Sequence, residues 1–73
     1  MSTFEPKQRV RAPRTLQILG RLVKEGQQGT ILWKHQDMDR SWLYGVRWDV
    51  DSVLLPARED EIELVQEGEP HVQ

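Results

Sequence analysis

The stretch of sequence that decides the fold reads Ser41-Trp42-Leu43-Tyr44-Gly45-Val46-Arg47-Trp48-Asp49. Every second position in it carries a large apolar side chain, and smaller or charged residues mostly stand between them. Because successive side chains of a β-strand point to opposite faces, the large ones form one row. The pattern predicts a strand whose core-facing row consists of Trp42, Tyr44, Val46 and Trp48.

Shorter segments on both sides of this stretch predict four further strands. Proline marks the end of two of them, because it cannot donate a hydrogen bond to a strand partner. Turn composition sets off residues 35–40 and 49–52, and residues 58–61 suit one turn of 3-10 helix. The predicted strands are residues 8–11, residues 29–34 (with Ile31 and Trp33 on one face), residues 53–55 and residues 62–65.

Residues 15–26 allow two interpretations. Apolar residues at helical spacing, beginning at Leu16, are compatible with a short helix. Gly20 lies inside that pattern and costs a helix about 1 kcal/mol relative to alanine. A long first loop, which tucks Leu16, Leu19 and Leu22 under the core, accounts for the same residues and is the favoured interpretation.

Length and composition bound the class of protein. The 73 residues allow one small domain, which we place at residues 7–65, with flexible tails at residues 1–6 and 66–73. The chain has no cysteine, and its first residues lack the apolar core of a secretory signal. No apolar run exceeds three residues, which is too few to cross a membrane. We therefore expect a soluble cytoplasmic protein.

Charge is distributed unevenly along the chain. Residues 1–35 contain seven Lys or Arg and two acids, whereas residues 36–73 contain three Arg and ten acids. Such a division predicts either a basic face for a polyanion or two halves that neutralise each other in the folded chain. The second interpretation is favoured, because position in the sequence does not fix position in the folded field.

Several short motifs resemble a known fold group. They are Gly26-Gln27-Gln28-Gly29-Thr30-Ile31, Tyr44-Gly45-Val46-Arg47-Trp48, Leu55-Pro56 and Asp60-Glu61-Ile62-Glu63-Leu64. Over roughly residues 7–65 the chain resembles the bacterial SH3-like small β-barrels, a group that includes KOW-type and Tudor-like modules. The resemblance implies an all-β, five-stranded SH3-like barrel with a long first loop and a 3-10 turn before the last strand. It implies a fold more than an activity, because this barrel carries many unrelated functions.

Residue types that carry catalysis or bind metals are sparse and poorly placed. The histidines are His35, in a predicted turn, and His71, in a predicted tail. Residues 35–39 lack most of a calcium-binding loop, and the acidic residues at 59–63 suit a solvated surface. We therefore predict a protein that is not an enzyme, with no catalytic residue, no metal site and no cofactor.

One enzyme family shares the implied fold. Type II dihydrofolate reductases are short SH3-like barrels that act as tetramers around a shared pore, and Arg9-Val10-Arg11 and Ser52-Val53 resemble stretches of that family. The positions that would line the pore are here Leu54-Leu55-Pro56, and Ala12 stands where the family has a lysine. None of the family's ligand-binding residues can be carried over, so an oligomeric enzyme is the least favoured hypothesis.

Candidate binding residues are the tryptophans and the first arginines. Trp33 and Trp42 flank the predicted hairpin loop and are expected to be partly exposed, whereas Trp48 is expected at the edge of the core. Arg9 and Arg11 would add positive charge beside them. The favoured hypothesis is a non-catalytic interaction module that binds a protein partner, and the alternative is a module that binds RNA or single-stranded DNA. The sequence leaves the oligomeric state open.

Overall fold

The computed structural model describes residues 3–65, whose regular structure consists of β-strands and two turns of 3-10 helix. The all-β prediction is therefore confirmed, as is the 3-10 turn before the last strand, which spans Glu59–Glu61. Within the described residues, no helix is long and apolar enough to cross a membrane. The strands are β1 Arg9–Arg11, β2 Leu16–Ile18, β3 Arg21–Val23, β4 Gln28–Gln36, β5 Trp42–Trp48, β6 Val53–Arg58 and β7 Glu63–Leu64.

The strands form two antiparallel sheets. One has five strands in the order β6-β5-β4-β1-β7, and the other is the hairpin of β2 and β3. In residues 3–65 no ladder joins β6 to β7, so the larger sheet is open at both edges. Strand β6 runs on through Pro56 to Arg58, beyond its predicted end, because an edge strand tolerates a missing N–H.

The core lies on one face of the larger sheet, here called the inner face. This face carries the predicted core-facing row of β5, which includes Tyr44, Val46 and Trp48. Tyr44, Val46 and Trp48 are fully buried there, as predicted for the first two. Trp48 was expected at the edge of the core, but it is fully buried. The reason is its place in the sheet, because it pairs with Gly29 on β4 and Val53 on β6 and is flanked by strands on both sides.

Residues 15–26 form neither the favoured loop nor a helix, but contain the hairpin of β2 and β3. Leu16 and Ile18 alternate with an exposed Gln17 and are buried, which is the pattern of a strand. The expectation that Leu19 and Leu22 pack under the core is wrong, since they are 77% and 57% exposed. Gly20, which disfavours a helix, is what the two-residue turn requires.

The turn of this hairpin gives the first testable prediction. Leu19 and Gly20 both have positive φ, 50° and 80°, a conformation that favours Asn-Gly and costs other L-residues about 1 kcal/mol or more. Leu19→Asn is therefore expected to stabilise the protein by about 1 kcal/mol, measured as a higher urea midpoint at unchanged slope. The control is Leu22→Asn, on the adjacent strand. An equal gain from both variants would trace the effect to lost surface hydrophobicity instead of the turn.

The described start of the chain packs onto the sheet. Phe4 is 4% exposed and meets the Tyr44 ring edge-on, with ring centroids 5.2 Å apart. The Lys7 N–H donates to the carbonyl of Ile31, and the Thr3 N–H donates to the Glu59 carboxylate at 2.8 Å. Within the segment predicted as a tail at residues 1–6, Phe4 is therefore buried against the sheet, because it has apolar surface to bury. The tail predicted at residues 66–73 lies outside the described residues.

Glu59 makes this attachment dependent on pH. Its carboxylate accepts hydrogen bonds from Thr3 and from the Tyr44 hydroxyl, and these, chiefly those from Thr3, lower the pKa of Glu59 below its ordinary 4.5. A depressed carboxyl pKa stabilises the fold above pH 4.5, and this contribution is lost as the pH falls through the lower folded-state pKa. We expect wild type to be more stable than Glu59→Gln at pH 7 and the two to converge at acid pH in urea titrations. A difference that is independent of pH would contradict this assignment.

Candidate functional site

A β-bulge in β4 sets the position of Trp33. Ile31 pairs with Val46 but Trp33 pairs with Gly45, so Leu32 is the extra residue on the β4 side. The bulge changes the alternation, and Ile31 is fully buried while Trp33 is 40% exposed. The prediction that these two residues share a face is therefore wrong. Trp33 lies on the outer face of the sheet, opposite the core.

The Trp33 indole packs on the backbone of β5 at Gly45, and this position is here called the seat of Trp33. A Cβ atom at position 45 would overlap the indole ring atoms Cε2, Nε1 and Cδ2, so the ring rests directly on the backbone of β5. Gly45 itself is buried beneath it. One side of the indole is thus held by the sheet while 40% of the residue remains exposed. A side chain fixed in this way loses little rotamer freedom when a ligand covers it.

Apolar residues surround Trp33 on the outer face. Leu32 is 44% exposed and Leu54 is 48% exposed, whereas Leu43 and Pro56 are half-buried. The register places Pro56 directly across from Gly45, and Leu43 lies two residues before Gly45 on the same face of β5. We call the set formed by Leu32, Trp33, Leu43, Leu54 and Pro56 the Trp33 strip.

The arginines predicted to bind a ligand also lie on the outer face, but carboxylates already hold them. Arg9 binds Asp49 with both terminal nitrogens, at 3.0 and 2.7 Å, and Arg11 pairs with Glu63. Hydrogen bonds from Arg9 are the main cause that lowers the pKa of Asp49. These ion pairs join the basic first half of the chain to the acidic second half, as expected for halves that neutralise each other.

Arg47 is different from these arginines. It lies in the outer row of β5, between Thr30 on β4 and Leu54 on β6, two residues beyond the seat of Trp33. Its side chain is exposed and forms no ion pair or hydrogen bond within residues 3–65. The Asp49 carboxylate nearby is occupied by Arg9. Arg47 contributes to the lowered pKa of Asp49 through its charge, but it has no direct ion-pair partner in residues 3–65. The Trp33 strip therefore adjoins a cation that no carboxylate binds directly.

Trp42 is separated from Trp33 by the thickness of the sheet. It belongs to the inner row, where it is partly buried against the core, and the Lys34 ammonium lies 5.3 Å from the centroid of its ring. Lys34 also pairs with Glu5 at 2.8 Å. The five predicted site residues therefore divide, with Trp33, Arg9 and Arg11 on the outer face, Trp42 at the end of the inner face and Trp48 in the core.

Sequence patterns did not identify most of the residues that lie around Trp33 on the outer face. Gly45 and Arg47 were recognisable as the outer side of the β5 alternation, but nothing marked Gly45 as the seat of an indole. Leu32 was hidden because a bulge has no sequence signature in this strand. Leu54 followed from the alternation of β6 only once its register against β5 was known.

Neither a metal site nor a known relative points to a function for the described residues. Residues 3–65 contain no group of three or more His, Asp or Glu placed to hold a metal ion. Comparisons of the chain with known protein families, with characterised proteins and with solved structures find no match. The outer face, with the exposed Trp33 indole, is therefore the candidate site.

The seat at Gly45 gives a direct prediction. Gly45→Ala should displace the Trp33 indole toward solvent, because the added methyl occupies the space where the ring lies. Tryptophan emission should shift to longer wavelength and become more accessible to a neutral quencher such as acrylamide. In a Trp33→Phe background the same Gly45→Ala change should leave the emission of Trp42 and Trp48 unaltered. A spectrum that changes equally in both backgrounds would contradict the assignment.

Proposed function

We propose that this chain is a non-catalytic module that binds a protein partner through the Trp33 strip. One observation carries the proposal, namely an indole that is fixed against Gly45 and still 40% exposed. Tryptophan is among the residues that most often dominate the free energy of binding between proteins. Such residues are encircled by neighbouring contacts that exclude water. The leucines and the proline of the Trp33 strip are placed to form those neighbouring contacts.

We further propose that the fold is an SH3-like barrel variant. The strand order supports this proposal, because β1, β4, β5 and β6 form successive antiparallel neighbours and β7 returns to pair with β1. The hairpin of β2 and β3 stands where the resemblance implies a long first loop. In this fold group the role is not set by the barrel, so the functional proposal depends on the strip alone.

Nucleic-acid binding is the second candidate, because Trp33, Arg9 and Arg11 share the outer face. Stacking on an aromatic beside phosphate-binding cations is how single strands are held. Two facts favour the protein partner. The guanidinium groups of Arg9 and Arg11 are engaged by Asp49 and Glu63, and the rest of the strip is aliphatic. The sequence pI of about 5.6 is also far below that of typical nucleic-acid-binding domains.

Site-specific photo-crosslinking in the native host tests the proposal. A benzophenone amino acid at position 54, in the Trp33 strip, should crosslink to a discrete protein, and Trp33→Ala should abolish that product. The matched control is the same amino acid at position 22, an exposed leucine on β3 outside the strip. A product that nuclease removes would favour the second candidate. Products that are identical at both positions, or that persist in the Trp33→Ala chain, would overturn the proposal.

A further inference from the structure

We infer that the partner presents an acidic segment to the Trp33 strip, with an apolar side chain on Trp33 and a carboxylate on Arg47. This inference rests on the proposed function, and it adds the chemistry of the partner. It begins with the location of Arg47, which is two residues from Gly45 on the same face of β5. A partner large enough to cover the indole and Leu54 therefore also covers Arg47.

Burial of Arg47 requires an anion. Removing a charged side chain from water is costly unless it is paired, and Arg47 has no ion-pair partner in the described part of the chain. A carboxylate suits a guanidinium because its two oxygens match the planar fork of N–H donors. A partner that placed a neutral or basic group there would leave the buried guanidinium with only the Asp49 carboxylate, which Arg9 already binds, so the strip discriminates against it.

The other arginines that the strands direct to the outer face are paired with carboxylates, so Arg47 differs from them. Among the described residues, the strands of this face contribute one acid, Glu63, which Arg11 already pairs with. Two acids from the adjoining turns, Asp37 and Asp49, are also paired with arginines. Asp39, in the same turn as Asp37, accepts hydrogen bonds from Ser41. The basic side chains that the strands direct outward are Arg9, Arg11, His35, Arg47 and Arg58.

The spacing of the strip indicates how the acidic segment is arranged. Residues two apart on a strand are separated by about 7 Å, and this is the distance along β5 from the seat of Trp33 to Arg47. An extended peptide has the same spacing between alternate side chains. A leucine or aromatic residue two positions from an aspartate or glutamate would therefore match both contacts in a single strand-like segment.

Selection from a random peptide display library on the folded full-length chain tests this inference. Peptides enriched on wild type should be acidic and should pair an apolar residue with Asp or Glu two positions away. Arg47→Gln should weaken the selected peptides about tenfold or more. Arg47→Glu should shift enrichment to basic peptides, whereas the control Lys24→Glu, at an exposed lysine outside the strip, should retain acidic ones.

The outcomes separate this inference from the proposal on which it rests. Enrichment of uncharged or basic peptides that is lost in Trp33→Ala would overturn the acidic partner and leave the protein-binding strip intact. Enrichment that is insensitive to Trp33→Ala, or no enrichment, would count against both. Quenching of Trp33 by a single-stranded oligonucleotide, with affinity that falls as salt rises, would replace the acidic protein by a nucleic acid.

Discussion

Trp48→Ala is expected to remove about half of the stability of the domain at 25 °C. Trp48 is fully buried in β5 and is among the largest side chains of the core. Truncation of a buried tryptophan to alanine costs about 3–5 kcal/mol. A domain of 73 residues has a total stability on the order of 4–10 kcal/mol, so one substitution removes a large share of it. Urea denaturation followed by far-UV circular dichroism should show a midpoint lowered by about half at unchanged slope.

The matched control is Trp48→Phe. The Nε1 atom of Trp48 is buried and has no hydrogen-bond partner among the described residues. Phenylalanine keeps an aromatic ring on the inner face and removes that unpartnered N–H group, which offsets part of the lost volume. We expect it to cost about 1–2 kcal/mol, well below the alanine variant. Equal losses would show that the side chain contributes through its indole shape and not through buried area.

Gly29→Ala is expected to produce the second large loss, for the opposite reason. A Cβ atom at position 29 would lie 2.7 Å from the Arg47 carbonyl oxygen and from Val46 Cγ1, and 3.0 Å from Trp48 Cα. Two of these atoms belong to the backbone of β5, the strand paired with β4, so they cannot move without distorting the ladder. Overpacking of this kind costs about 1–3 kcal/mol.

The comparison for Gly29 is Gly20→Asn in the β2–β3 turn. A Cβ atom at position 20 has no neighbour within 4 Å, and asparagine tolerates the positive φ found there. Urea titrations should show a clear loss for Gly29→Ala and a change of about 0.5 kcal/mol or less for Gly20→Asn. A loss of similar size in both would indicate that glycine's backbone freedom, and not close packing against β5, determines the effect.

The parts of the fold that the sequence predicted are those fixed by local pattern. The alternation of residues 42–48 placed Tyr44 and Val46 on the core side, and the polar stretch before Ile62 indicated the 3-10 turn. Non-local features were not predictable in the same way. The bulge at Leu32 depends on the register of β4 against β5, and the burial of Phe4 depends on the Tyr44 ring, which is distant in sequence.

The candidate site shows the same limit. Trp33 was identified because tryptophan is enriched at binding surfaces and this one lies near the predicted hairpin loop, and in the structure it is 40% exposed. Its separation from Trp42 was not foreseen, since the bulge that moves Trp33 to the outer face interrupts an otherwise regular strand. The arginines of β1 were identified by charge, but the carboxylates that hold them come from positions 40 and 52 residues further along the chain.

The pairing of a basic first half with an acidic second half has a consequence for how the chain can be divided. The turn between β4 and β5 separates residues 1–36, which carry a formal charge of +5, from residues 37–73, which carry −7. Two separately made fragments cut at this turn would attract each other over long range and meet through the antiparallel ladder of β4 and β5. If each fragment were fused to another protein, their reassembly would report that the two fused proteins are close together. Added salt would slow the reassembly, because it screens the attraction.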